Sequence, residues 1–308
     1  IQLFVGLGIL YGAVLIASPT IVAPAINENL PPAAPPIVPL LFVTIACGAI
    51  SGFHGLVGSG TTSKQLNREP DARFVGYLGS AGEGALAIIA IIAATAGFSS
   101  LADWEAMYSS FGAGGVTAFV QGGAIIANNG LGLSVGFAET LLTVMAVLFA
   151  GTTMDAGVRL QRYIVQEMGT IYNIPPLQNG YTATAIAVGA CLILAFGAGG
   201  TDGSGGMLIW PLFGTTNQLL AGLTLLVISV ILVKLGRPAR YTLTPMIFVT
   251  SMAFLSAVYQ LWGFYSTGEY FLVAVDIVII ITAILVMLES TSAFMRERRK
   301  AAAATLTG

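Results

Sequence analysis

All twelve Lys and Arg residues of this 308-residue chain fall in four short clusters. They are Lys64/Arg68/Arg73, Arg159/Arg162, Lys234/Arg237/Arg240 and Arg296/Arg298/Arg299/Lys300, and two long apolar stretches separate each cluster from the next. An even number of crossings returns a chain to the same side each time. Cationic loops resist translocation, so that shared side is predicted to be the cytoplasm. Class, topology and orientation follow together from this one pattern.

Composition agrees. The chain is 56% hydrophobic and 8% charged, with a mean hydropathy of +0.87, whereas a soluble domain carries roughly 25% charged residues. The apolar runs are continuous rather than alternating, which predicts an all-α polytopic membrane protein. The net charge of −2, with no basic face outside the loops, gives no sign of a nucleic-acid partner. The single His excludes a multi-histidine metal site. Cys47 and Cys191 sit inside apolar spans and read as buried thiols rather than a disulfide. The sequence opens at Ile1 inside an apolar run, without Met or a signal-peptide pattern. It therefore reads as part of a longer polypeptide, N-terminally incomplete.

A spanning helix needs about 20 mostly apolar residues, and eight candidates are present. They are Ile1–Val22, Ile37–Val57, Phe74–Phe98, Gly130–Thr153, Tyr181–Gly197, Leu212–Leu235, Thr244–Gly263 and Tyr270–Glu289. Residues 1–300 read as a single transmembrane domain and Ala301–Gly308 as a disordered cytoplasmic tail. The outer loops, about 24–36, 98–129, 198–211 and 264–269, hold Glu28, Asp103, Glu105, Asp202 and Glu269 but no Lys or Arg. Pro31, Pro32, Pro35 and Pro36 favour an extended first loop. Within the long second loop, Val116–Ala127 is too short to span and is expected to be re-entrant or interfacial.

Four features carry candidate chemistry. In the first, glycines and hydroxyls crowd Ser51–Thr62 at the inner end of an apolar helix. A break there frees backbone groups that Ser59, Gly60, Thr61 and Thr62 can join in holding substrate or an ion, and His54 can relay a proton. The alternative is a close-packed helix end with a satisfied polar cluster.

The second feature is Glu83, on a stripe with Gly76, Gly79, Ser80, Gly84 and Ala87. Small residues allow close helix approach, so Glu83 is expected to face protein, where a carboxylate is costly unless protonated. It is a proton-coupling candidate, and Glu139, on a stripe with Gly132, Gly136, Thr140 and Thr143, is another. The alternative for both is a structural hydrogen bond. Asp276, among Val, Ile and Leu near the outer end of its span, reads as interfacial snorkelling or a structural partner.

The third feature, Thr152–Tyr163, places Asp155 and Arg159 one helical turn apart, as a gating ion pair or a plain helix-end pair. The fourth follows a Gly-rich loop from Thr201 to Gly206. There Pro211 suits a helix start, and Thr215, Thr216, Asn217 and Gln218 lie just inside the membrane, bonding across helices or lining a path.

Three segments, Ser51–Thr62, the Thr152–Tyr163 block with its Arg-x-x-Arg-Tyr ending, and Trp210-Pro211-Leu212-Phe213-Gly214 with Asn217-Gln218-Leu219-Leu220, resemble the carbon-starvation protein family, the CstA-type transporters. The order and spacing of the segments fit as well, and family members are longer at the N-terminus. The resemblance implies a multi-pass transporter of the bacterial cytoplasmic (inner) membrane with a cytoplasmic C-terminus. It implies uptake of pyruvate or small peptides by proton symport, on a LeuT-type inverted-repeat fold with some discontinuous helices.

No cofactor is expected beyond the coupling ion, a proton or sodium. The expected partners are the substrate and the lipid bilayer, with a homo-oligomer or a small accessory subunit also compatible. Two other readings stay open: an ion channel with 98–129 as a re-entrant filter, and a non-catalytic membrane subunit of a larger complex. An enzyme is the least favoured, since no zinc triad or nucleophile–base pair is evident.

Overall fold

The computed structural model describes residues 2–30, 36–41, 43, 48–109, 114–197, 203 and 205–307. Pro31, Pro32, Pro35, Cys47, Thr201, Asp202 and Ser204 lie outside the described residues. Every regular element among the described residues is helical. In chain order they are α1 (Gln2–Ala17), a π-helical turn (Ile37–Leu41), α2 (Gly52–Gly60), a 3-10 turn (Thr62–Gln65), α3 (Asp71–Ala96), α4 (Leu101–Met107) and α5 (Gly115–Leu131), followed by α6 (Val135–Ile171), α7 (Pro175–Gln178), α8 (Gly180–Gly197), α9 (Gly205–Leu208), α10 (Trp210–Lys234), α11 (Arg240–Thr267) and α12 (Tyr270–Thr307).

Among the described residues, six helices are long and apolar enough to cross a membrane: α3, α6, α8, α10, α11 and the Tyr270–Arg299 part of α12. The other two expected spans differ. The first is a 16-residue helix, short of the usual spanning length. The second is not one continuous helix. Val38 is extended (φ −112°, ψ 126°) within the π turn, and Ser51 is extended again (φ −106°, ψ 119°) immediately before α2. Glycine disfavours helix and serine favours the N-cap, so the Ser51-Gly52 step with Gly55, Gly58 and Gly60 starts a new short helix there.

Three boundaries run past their expected places. Helix α5 buries Ala118, Gly122, Gly123, Ala124, Ile126 and Ala127 and packs against α1 and α3. It is a core element, made so by small side chains rather than by a run of large apolar ones. Helix α6 has 37 residues, roughly 55 Å at 1.5 Å per residue, and carries Arg159 and Arg162 on its continuation. Helix α12 continues through the Arg-rich end to Thr307, over the residues expected as a tail. Ala, Arg and Glu, all good helix formers, dominate that stretch.

The described helices group into two compact units, residues 1–34 with 65–156 and residues 35–64 with 157–308. In the first, Leu10, Ile89, Leu142 and Met145 form the core. Gly97 and Gly122 meet backbone to backbone, as do Gly130 and Ala13, contacts that leave no room for a Cβ. Tyr11 Oη donates to the Ala85 carbonyl at 2.7 Å, tying α1 to α3.

In the second unit α10 is the central helix, packed against α2, α11 and α12. Leu219, Ala253 and Ala283 meet at one level, and Leu226, Ala239 and Phe294 at another. These levels make α10, α11 and α12 successively antiparallel. Gly52 meets the α10 backbone at Asn217–Ala221, and a Cβ on Gly55 would stand 2.7 Å from Thr224 Oγ1, so α2 runs parallel to α10. Lys64 Nζ sits 4.5 Å from the centre of the Tyr163 ring. Together these contacts bring Lys64, Arg162, Lys234, Arg240 and Arg296 to one end of the unit, as the cluster pattern requires. Trp210, Trp262, Tyr265 and Tyr270, all exposed, mark the other end, as interfacial aromatics do.

Candidate functional site: a polar seam at a helix break

Helix α10 is apolar at its margins and polar on its packed face. Thr215, Asn217, Gln218 and Ser229 are each no more than 2% exposed. A buried amide or hydroxyl is costly without a partner, and most of these groups have one. Asn217 Oδ1 accepts from the Phe53 backbone N–H at 2.7 Å and from Ser51 Oγ at 3.1 Å. Gln218 Nε2 donates to the Ile50 carbonyl at 3.0 Å. Two adjacent amides of α10 therefore clamp both sides of the break, taking an orphan N–H of the first turn of α2 and the last carbonyl before it. Ser51 Oγ caps α2 as well, accepting from the His54 backbone N–H at 3.4 Å.

One turn earlier on α10, Thr215 Oγ1 donates to Gln260 Oε1 at 3.0 Å, and Gln260 Nε2 donates to the Pro211 carbonyl at 3.0 Å. Further along, Ser229 and Thr242 share a hydrogen bond of 2.7 Å. Hydroxyls and amides thus link α2, α10 and α11 along one seam.

Thr215, Asn217 and Gln218 of the fourth feature are therefore brought together with Ser51, at the start of the first feature, whereas the sequence places the break beside Ser59, Gly60, Thr61 and Thr62. Thr216 is half-buried and returns its hydroxyl to the Leu212 carbonyl at 2.7 Å. At the far end of α2, Ser59 Oγ bonds the Gly55 carbonyl at 2.9 Å, and Thr61, buried, bonds the Val57 carbonyl at 2.8 Å. Gly60 lies against Leu160 and Thr62 opens the following 3-10 turn. These hydroxyls serve their own helix end. His54 is exposed, with its ring edge-on to Phe53 at 5.7 Å.

Glu83 is exposed on α3, and Gly76, Gly79 and Gly84 have nothing within 4 Å of where a Cβ would stand. Glu139 is half-buried near the start of α6. Asp155 and Arg159 lie one turn apart on α6, the first exposed and the second half-buried. In the first unit, Asn27, Asn29, Trp104, Glu105 and Tyr108 line a polar cleft. Burial pushes the Tyr108 phenol above its usual range.

Nothing local in the sequence marks Gln260 or Ser256, and Asp276 reads there as interfacial snorkelling or a structural partner. All three are buried, Ser256 and Asp276 completely. Gln218 Oε1, Ser256 Oγ and both carboxylate oxygens of Asp276 have no hydrogen-bond partner among the described residues. One signal was available: Gln260 and Asp276 stand eight residues on either side of Gly268, the hairpin turn. No group of three or more His, Cys, Asp or Glu side chains able to hold a metal occurs among the described residues.

A family model described as carbon starvation protein CstA matches residues 1–110 and 99–256. The chain belongs to the CstA family. Among CstA relatives, the peptide transporter CstA of Helicobacter pylori (strain ATCC 700392 / 26695) is 30% identical, over 82% of this chain and 44% of that protein. The peptide transporter CstA of Escherichia coli (strain K12) is 32% identical, over 76% of this chain and 42% of its own. The pyruvate/proton symporter BtsT of the same organism is 29% identical, over 76% of this chain and 43% of its own. The chain spans less than half the length of these CstA relatives. No solved structure gives a significant match.

Proposed function

We propose that this chain forms part of a secondary active transporter that takes up small peptides or pyruvate, coupled to protons, across the bacterial inner membrane. The observation that carries the reading is the clamp of Asn217 and Gln218 on the Ser51–Gly52 break. A helix interrupted inside an apolar bundle presents polar backbone ends where a small anion or zwitterion can be held. Thr215, Thr216, Asn217 and Gln218 then line the substrate path on one side, with Ser59, Gly60, Thr61 and Thr62 along α2.

Protons enter through the acidic side chains of the spans, Glu83 and Glu139, with His54 as a relay beside the break. Asp155 and Arg159 act as a gate at the cationic end. That end, with the C-terminus, faces the cytoplasm, and the discontinuous helix supports an inverted-repeat arrangement of the LeuT type. Names of relatives support both substrate classes, since one is called a peptide transporter and another a pyruvate/proton symporter.

The test is uptake by the full-length protein in proteoliposomes. Labelled pyruvate and labelled dipeptides compete with one another under separate proton and sodium gradients. Saturable, concentrative uptake that a protonophore collapses is the expected result. An ohmic current without accumulation would replace the carrier with a channel.

A further inference from the structure

Asp276 is 0% exposed, and neither of its carboxylate oxygens has a hydrogen-bond partner among the described residues. An isolated ionised carboxylate so placed is far less stable than its neutral form. Its surroundings follow from the packing of the second unit. Ala253 on α11 and Ala283 on α12 share one core cluster. Stepping two turns from that level toward the hairpin turn reaches Gln260 on α11 and Asp276 on α12. Seven residues keep a side chain on the same helix face, so these two face each other across the α11–α12 interface. Gln260 in turn holds Thr215 of α10. One turn from Gln260 toward the cationic end, Ser256 Oγ is also buried without a partner.

Among the described residues of the second unit, charges that would stabilise an Asp276 anion are distant. The only charged side chain of α10 is Lys234 and that of α11 is Arg240, both at the opposite end of their helices. At the level of Asp276, the ionisable side chain on α11 is Tyr259, which is exposed. Glu269, at the near end, is exposed and acidic. A sodium ion would need Ser256 Oγ and further oxygens to converge with Asp276 on one point. A proton needs only one carboxylate oxygen.

We propose that Asp276 is a proton-binding site of the transport cycle, loading a proton beside the Thr215–Gln260 pair and releasing it when the bundle opens to water. The step is simple in balance. One O–H bond forms at a carboxylate oxygen and later breaks, with the proton taken from one side and given to the other. The inference deepens the proton-coupled reading above and rests on it.

Two measurements on the full-length protein test it. Infrared difference spectra of the wild-type protein, stepped from acid to alkaline pH, should contain a protonated-carboxyl C=O band that shifts in Asp276→Glu. A band unaltered by that change would overturn the assignment, whatever the transport assays give. In proteoliposomes, Asp276→Asn should lose proton-driven accumulation down to the level of empty vesicles while retaining substrate exchange. Accumulation with the wild-type pH profile would overturn the proposal. So would loss of exchange in a variant that still purifies as a monodisperse protein. Should Asp276→Asn fail to fold, the infrared comparison with Asp276→Glu decides alone. A wild-type protein that accumulates nothing under a proton gradient, or only under a sodium gradient, would defeat the broader reading instead.

Discussion

The first half of α3 and the first half of α12 make an instructive pair. Beyond the charged first turn of α3, residues 74–96, like residues 270–288 of α12, form an apolar helical segment with a single carboxylate inside it, Glu83 in one and Asp276 in the other. Read along the chain, Glu83 looked the better placed, on a stripe of small residues made for close packing. In the structure Asp276 is completely buried while Glu83 is exposed, and a Cβ on Gly76, Gly79 or Gly84 of its stripe would meet no neighbouring helix within 4 Å. Burial of a polar group in a bundle depends on what neighbouring helices bring to the same level. Thr215 and Gln260 come from α10 and α11. No stripe on α12 announces them.

Substitutions can break or sharpen this contrast, and the largest effect is expected at Gly52. A side chain there would run into the α10 backbone at Asn217 and Ala221. Gly52→Leu should cost about 3 kcal/mol or more through overpacking, read as loss of folded protein on size exclusion. Gly79→Leu, on the open face of α3, should leave the elution profile unchanged. Equal losses at both positions would erase the distinction between a packed seam and a bare face.

Next is Asn217→Ala, which leaves the Phe53 N–H without its acceptor. A lost helix cap costs about 1 kcal/mol, and a buried unpaired donor raises that to about 2 kcal/mol. A thermal melt in detergent measures it, and uptake should fall with it if the break holds substrate. The Thr215–Gln260 pair should show a smaller coupling. A double-mutant cycle of Thr215→Val and Gln260→Leu should return about 0.6 kcal/mol, the usual size for hydrogen bonds between membrane helices. A value near zero would mean that Gln260 serves the Pro211 carbonyl alone. The smallest effect is expected for Leu78→Ala on the exposed part of α3, where the melting temperature should not move. A drop there would reveal a packed surface and restore the stripe reading of Glu83.

Much of the fold was legible because apolar length is a local property. The expected span Tyr181–Gly197 and helix α8 begin one residue apart, and Leu212–Leu235 falls within two residues of α10. What escaped was set by packing. Helix α5 has no long run of large apolar residues, so its composition resembles a loop, yet Gly122, Gly123 and Ala124 let it into the core. That the Ser51–Thr62 segment interrupts a helix could be read because glycine and serine act on their own backbone, but its place at Ser51 rather than beside Ser59–Thr62 could not. That Asn217 and Gln218 clamp it could only be framed as two features, since the two segments lie more than 160 residues apart.

The contact between Lys64 and the Tyr163 ring has a mechanical consequence. Helix α2 is anchored at its start by the amides of α10 and tethered just past its end by this cation resting on an aromatic face. A tilt of that short rod about its glycine pivot must slide the ammonium across the phenol or lift it away. An environment-sensitive dye placed beside Tyr163 would therefore register the swing from the aqueous margin, without a label anywhere in the lipid-embedded interior.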